Sequence, residues 1–507
     1  MPGHFLNSLR SAFADRGVRP AVVYQGRSCS YSELDTRARN CASWLQSLGV
    51  GKGNRVALLT ADKLAFLIGH LGILYAGGIS LPLNPRSTRD ELRFFLTDSG
   101  ARTAVAAPEN RHVLEGLRSH APDLHAIVSD AEIWDAPFGD FREPSIDAED
   151  PCLIMYSSGT TGWPKGVVHN HANVASSLEA LRACWRFTAD DMVVNVLPLF
   201  HTHGLSFATH LSLLSGACII LEDSFDPLST LKVIDRSTVF MAVPTIYYRF
   251  LEEPTFREAA KSWSHVRLFT CGSAPIRPEV LPELESVLGR PVINRYGMTE
   301  AHVITSLPLD GPWPRGSVGL PLEGIELRVA EENDQQAPAD RVGSVLLRGP
   351  NLFREYWKQP EATKEAFRGG WFDTGDLGYL NGDGFLTLVG RKSDLIITNG
   401  FNVYPQVAER VINECPGVLE SAVIGIPDKR RGERVVAAVV RSDPALDESR
   451  LRTHWNERLV HYQRPTTVVF LDVLPRNAMG KITRRQLRDE ILKLIGNPRE
   501  EEKGNRV

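Results

Sequence analysis

At 507 residues the chain exceeds what one hydrophobic core ordinarily supports, so two or more domains are expected. A hydrophobic fraction of 43%, a charged fraction of 23% and a net charge of −4 suit a soluble globular protein and argue against a nucleic-acid binder, which carries a basic excess. Seven cysteines are scattered singly with no CxxC pair, a pattern that suggests neither a zinc site nor a disulfide framework and predicts a reduced, cytoplasmic protein.

The opening "MPGHFLNSLRSAFADRG" lacks the continuous apolar core of a secretory signal, and Asp15 argues against a mitochondrial presequence. "RVALL" (55–59) reads as a strand. The longest apolar stretch, "AFLIGHLGILYAGGISLPL" (65–83), is broken by His70 and Gly77-Gly78, so it predicts a buried helix, a glycine stop and a strand, with no membrane insertion. A further strand, "TAVAA" (103–107), follows. "YSSGTTGWPKGVVH" (156–169) then gathers more donors than a turn needs. Hydroxyls of Ser157, Ser158, Thr160 and Thr161, backbone amides freed at Gly159 and Gly162, and the charge of Lys165 suit a phosphate cradle. Lys165 stands between Pro164 and Gly166, so this is not the Gly-Lys-[Ser/Thr] of a P-loop.

Strand-like runs continue at "MVVNVLPL" (192–199), "ACIIL" (217–221), "VFMAVP" (239–244) and "VRLFTCG" (266–272). A helix is expected over 277–289, with Val280, Leu281, Leu284, Val287 and Leu288 on one face and Gly289 ending it. Alternation of this kind predicts an α/β protein with largely parallel sheets, whose ligands bind beyond the carboxyl ends of the strands. "GSAP" (Gly272, Ser273, Ala274, Pro275) and "YGMTE" (Tyr296, Gly297, Met298, Thr299, Glu300) both follow strands and could share one crevice. After about residue 390 the texture changes to a compact α+β module: a helix (about 406–414), strands "ESAVIGIPD" and "RVVAAVVRS", a helix (about 447–460), strand "TTVVFL", then "LPRNAMGKITRRQLRDEI". The expectation is a large N-terminal domain of layered, largely parallel sheets with helices, residues 1–390, and a small C-terminal α+β domain, residues 391–507.

The phosphate loop, "GSAP", "YGMTE", "WFDTGDLG" (371–378), "GRKSDLI" (390–396) and "PRNAMGK" (475–481), in this order, resemble the adenylate-forming superfamily of acyl-CoA synthetases, peptide-synthetase adenylation domains and luciferases. The resemblance spans nearly the whole chain. It implies an enzyme that uses ATP and Mg2+ to join a carboxylate to AMP, releases pyrophosphate, and passes the acyl group to coenzyme A. On that resemblance Ser157 to Lys165 would hold the β- and γ-phosphates, Glu300 the Mg2+, Thr299 the α-phosphate and Tyr296 the adenine. Asp376 would accept the ribose hydroxyls with Arg391 beside it, and Lys481 would reach the carboxylate and α-phosphate. The small domain would be mobile, turning at Ser393 to present a coenzyme A tunnel lined at Gly400 and Phe401. Relatives place Asp or Lys at that hinge, and glycine where Glu355 precedes Tyr356.

"LPLFHTHGL" (197–205), "SFDP" (224–227), "VPTIYYR" (243–249) and "RYGMTE" (295–300) look like the malonyl-CoA or methylmalonyl-CoA synthetase branch. That resemblance implies arginine recognition of a distal carboxylate, for which Arg249 and Arg295 are the candidates, with His201 lining the acyl and coenzyme A passage. "TEAHVITS" departs from the polar "TETN"-like continuation of close relatives. The alternatives are a coenzyme A ligase for an uncharged aliphatic or aryl acid, an adenylating enzyme with an amine acceptor, or a non-catalytic nucleotide-binding protein on the same fold.

Overall fold

The computed structural model describes residues 4–134, 136, 139–157, 164–476 and 481–495. The chain forms two compact units, Met1–Leu327 with Leu347–Phe372, and Arg328–Leu346 with Asp373–Val507.

The first unit holds two sheets. One has nine strands in the spatial order Leu320–Pro321, His302–Ser306, Val292–Met298, Leu268–Cys271, Val239–Ala242, Met192–Asn195, Cys218–Leu221, Pro20–Tyr24 and Arg27–Ser30. The six from Val292–Met298 to Pro20–Tyr24 run parallel, and the outer ones antiparallel. The other has seven, in the order Glu355–Tyr356, Lys165–Asn170, Pro151–Ser157, Ile79–Pro82, Arg55–Leu59, Thr103–Ala106 and Ala126–Ser129. Parallel strands need crossovers, and helices supply them. Lys63–Tyr75, between Arg55–Leu59 and Ile79–Pro82, has every residue buried, which is why its sequence is apolar nearly all round, with Lys63 and His70 its polar exceptions. Asp62 opens it by accepting from the amides of Leu64 and Ala65. This is the layered α/β architecture the alternation predicts.

Two elements differ from expectation. "MVVNVLPL" is strand only to Asn195, whose carboxamide then holds the turn: Nδ2 donates to Gly204 O at 2.9 Å and Thr209 Oγ1 at 3.0 Å, and Oδ1 accepts from Leu197 N at 2.9 Å. A π-helix, His203–His210, follows. The helix expected from 277 begins at Leu281, because Pro282 has no amide to donate and belongs in a first turn; Gly289 closes it in the left-handed region.

In the second unit one sheet runs in the order Phe401–Val403, Ile396–Thr398, Gly432–Arg441 and Val418–Asp428, with Thr467–Leu471 also on Gly432–Arg441. "VVAAVV" is apolar throughout because both faces are covered. Val435, Ala437 and Val439 pack with residues of the helices Pro405–Asn413 and Glu448–Asn456, and Val436, Ala438 and Val440 with Leu487 and Ile491 of Arg484–Ile495. The helix expected over about 447–460 spans Glu448–Asn456. A further hairpin, Trp371–Leu380 against Leu386–Arg391, sets Asp376 opposite Arg391. Among the described residues no helix is long and apolar enough to cross a membrane.

Candidate active site

The carboxyl ends of three parallel strands of the nine-stranded sheet, the neighbours Leu268–Cys271 and Val292–Met298 and, beyond Val239–Ala242, Met192–Asn195, deliver Gly272–Pro275, Arg295–Glu300 and His203. Arg295 is 3% exposed and its guanidinium lies 4.8 Å over the Phe207 ring. Its Nη2 donates to Ser273 Oγ at 3.3 Å, while Nε has no partner among the described residues. Burial pulls its pKa down to about 10. A side chain at Gly272 would put its Cβ 2.4 Å from Arg295 Nε, so the glycine is what admits the guanidinium. Ser273 takes the left-handed φ of 71° and its Oγ also lies 3.1 Å from His203 Nδ1. His203 is held well below the ordinary imidazole range by burial, then by Arg295 and His201. His201 stands beside Phe200 at 4.7 Å; burial lowers it to about 4 and its Nε2 has no partner among the described residues. Ala274 is half-buried and Pro275 exposed.

Arg249 is in a different environment from Arg295. It is exposed in the last turn of the helix Pro244–Glu252, whose buried face is Ile246, Tyr247 and Phe250, and its guanidinium lies 4.9 Å over Phe225.

Around Glu300 the chain is fixed from several sides. His169 Nε2 lies 2.7 Å from Thr299 O, Phe353 N donates to Glu300 O at 2.7 Å, and Asn351 Nδ2 donates to Ala301 O at 2.7 Å. The Tyr356 hydroxyl donates to Glu300 Oε1 at 3.0 Å, and Lys165 Nζ lies 4.6 Å from the Tyr356 ring centroid. Tyr296 is buried in its strand, Gly297, Met298 and Thr299 are half-buried, and Ser157 pairs in register with Lys165. Ser158, Gly159, Thr160, Thr161 and Gly162 lie outside the described residues. Glu300 fits a hard divalent cation such as Mg2+. It is a buried carboxylate, and among the described residues no group of three or more acidic, His or Cys side chains forms an all-protein cage, so other ligands would be phosphate and water oxygens.

In the second unit Asp376 is 6% exposed and accepts from Arg391 Nε at 3.0 Å. Lys481 is lowered to about 8, first by burial and then by Arg391, with Asp376 and Asp394 opposing. Three residues far apart in sequence thus share one electrostatic environment. Ser393 sits on the short turn Lys392–Asp394 and its hydroxyl donates to Asp394 Oδ1 at 3.3 Å; Arg484 bridges Asp394 at 3.2 Å and Glu409 at 2.7 Å. Asn399 (φ 50°) and Gly400 (φ 79°) are the two turn residues joining Ile396–Thr398 to Phe401–Val403. An Asn-Gly pair in left-handed conformation makes the tight hairpin turn whose twist matches the strands, so Gly400 has a local reason to be glycine. Phe401 is exposed and stacks on Tyr462 at 4.6 Å.

Sequence reasoning singled out neither Tyr356 nor His169 for the site. Each acts through a partner distant in sequence, and only the tyrosine's place beside the departing Glu355 drew notice.

Residues 9–357 match the AMP-binding enzyme family, and residues 408–481 the AMP-binding enzyme C-terminal domain. The chain is 32% identical to a long-chain-fatty-acid–CoA ligase of Yersinia pestis, covering 96% of this chain and 95% of the relative. It is 34% identical to a feruloyl-CoA synthase of an Amycolatopsis species, covering 92% and 95%. The crystal structure of ATP-bound MatB from Rhodopseudomonas palustris is similar with a TM-score of 0.93 at 36% identity, covering 97% of this chain and 100% of that one.

Proposed function

This chain belongs to the AMP-binding enzyme family and is an AMP-forming acyl-CoA ligase, and we propose that its acid is a short dicarboxylate, malonate or methylmalonate. One observation carries this reading. Arg295 is a buried cation with no acidic partner among the described residues, seated among His203, Ser273 and Phe207. An unpaired buried charge is costly, and a site that keeps one is suited to an anion that arrives with the substrate. Arg249, exposed on its helix, is not assigned to the acid.

In this reading Lys165 and the loop before it bind the β- and γ-phosphates, and Thr299 contacts the α-phosphate. Glu300 holds Mg2+, which would neutralise phosphate charge as the carboxylate oxygen attacks phosphorus. Tyr296 stacks on adenine, and Asp376 with Arg391 holds the ribose. Lys481 stabilises the developing charge during adenylation. The small domain, taken from residue 391, turns at Ser393, and Gly400 and Phe401 line the coenzyme A path.

A second reading, an uncharged fatty or aryl acid, is favoured by the names of the fatty-acyl and feruloyl relatives. ATP–pyrophosphate exchange with malonate, methylmalonate, butyrate, a long-chain acid and ferulate separates the two. Truncating one side of a desolvated charge pair costs roughly 2–5 kcal/mol, so kcat/KM for malonate should fall about 30- to several-thousand-fold in Arg295→Ala while butyrate changes little. Equal loss with both acids would return Arg295 to the nucleotide site or to structure. A wild-type preference for the uncharged acids would replace malonate by them.

A further inference from the structure

We infer that Tyr356 is a positioning residue that seats Glu300 and Lys165, two opposite charges of one site, each on a partner that is not the other. The inference rests on the phosphate and metal roles proposed above. The phenol O–H donates to Glu300 Oε1 at 3.0 Å, and the ring receives the Lys165 ammonium at 4.6 Å from its centroid. One side chain therefore serves the carboxylate with its edge and the cation with its face.

The backbone shows why the tyrosine can do this. Glu355–Tyr356 is a two-residue strand that pairs antiparallel with Lys165–Asn170, Tyr356 opposite Val167, and Trp357 N donates to Gly166 O at 2.7 Å. Just before it, Phe353 N donates to Glu300 O at 2.7 Å, and the Phe353 and Tyr356 rings lie 4.7 Å apart. The segment 353–357 is thus stitched to the lysine strand on one side and to the Glu300 backbone on the other.

The consequence is electrostatic. In a partly desolvated site a carboxylate and an ammonium attract far more strongly than in water, and a direct pair would have to be broken before either could receive its ligand. Held on an O–H and on a ring face, Glu300 stays oriented for a cation and Lys165 for phosphate. Each of these contacts can be exchanged or kept when ATP arrives, without a direct pair between Glu300 and Lys165 to open.

Two substitutions separate the halves of this role in the full chain. Tyr356→Phe keeps the ring and loses the O–H; Tyr356→Leu loses both. ATP affinity is measured by calorimetry in EDTA and again across a Mg2+ titration, alongside ATP–pyrophosphate exchange. In Tyr356→Phe the Mg2+ half-saturation should rise about ten-fold or more, since a hydrogen bond to a charged group is lost, with metal-free ATP affinity unchanged. Tyr356→Leu should in addition weaken metal-free ATP binding by about two- to five-fold. In a Glu300→Gln background, Tyr356→Phe should add nothing to the Mg2+ defect.

Wild-type Mg2+ half-saturation in Tyr356→Phe would overturn the inference while leaving the ligase reading intact. So would an equal loss of metal-free ATP affinity in both variants, or additivity with Glu300→Gln. A wild-type protein that neither binds ATP nor catalyses exchange would instead overturn the ligase roles and this inference together.

Discussion

Lys481 shows how surroundings change the charge chemistry of an ordinary lysine. An exposed lysine titrates near 10.4, but here burial and the neighbouring Arg391 bring it to about 8, while Asp376 and Asp394 hold it from falling further. The protonated form is the one that can stabilise a developing phosphate charge, so adenylate formation should decline as pH rises through about 8. Lys481→Ala should cut ATP–pyrophosphate exchange by several orders of magnitude and spare thioester formation from pre-made acyl-adenylate. Equal loss in both half-reactions, or an exchange rate flat from pH 7 to 9.5, would mark Lys481 as structural. Arg295 makes the complementary case, a cation kept charged in spite of burial because its pKa starts so high that a fall to about 10 costs it no protons at neutral pH.

At the scale of elements, the hairpin 396–403 turns on two left-handed residues. A Cβ at Gly400 would meet nothing within 4 Å, so Gly400→Ala brings no clash and only the backbone penalty of a left-handed L-residue. That penalty is about 1–2 kcal/mol. Urea unfolding should show a loss of this size, with no further loss on enlarging the side chain to Leu. A larger loss for leucine would mean that the turn packs against something. A matching drop in thioester formation, with adenylation unchanged, is the outcome expected if the same turn borders the coenzyme A path. The strand Lys165–Asn170 serves the site at both ends. Lys165 opens it, and near its close His169 holds the Thr299 carbonyl. Its register with Glu355–Tyr356 therefore sets the phosphate-binding and metal-binding candidates together.

Over the whole molecule the buried histidines decide the acid limit of stability. His70, His169, His171, His203, His210 and His302 are all at most 2% exposed in the first unit, and burial lowers each of them, to about 3 for His70 and His171 and about 4 for His169. Their folded pKa values lie below the unfolded value near 6.5, so the unfolded chain binds more protons between those limits. Stability from these groups is complete above about pH 6.5 and is lost as pH falls, at about 1.4 kcal/mol per pH unit for each histidine. Urea midpoints should hold steady from pH 8 to 7 and drop steeply from 6 to 5. A midpoint unchanged down to pH 5 would mean that these rings find protons, or water, in the folded state.

The sequence by itself determined the chemistry available and the layering. Strand and helix periods separate the buried faces, an apolar run such as "VVAAVV" announces a strand covered on both sides, and six ordered motifs identify adenylate-forming chemistry without any coordinates. The turn at Asn399-Gly400 was set by a requirement just as local, a left-handed φ at both residues, although the resemblance gives Gly400 only a coenzyme A role. Tertiary structure alone decided which charges meet. Arg249 and Arg295 look equivalent in sequence, yet one is solvated over Phe225 and the other is sealed beside Ser273 and His203. Tyr356 reaches Glu300 across 56 residues of chain, and Lys481 shares the surroundings of Asp376 and Arg391. The reason is physical: periodicity reports which face of an element turns inward, whereas desolvation and Coulomb interactions depend on what the fold brings to that face.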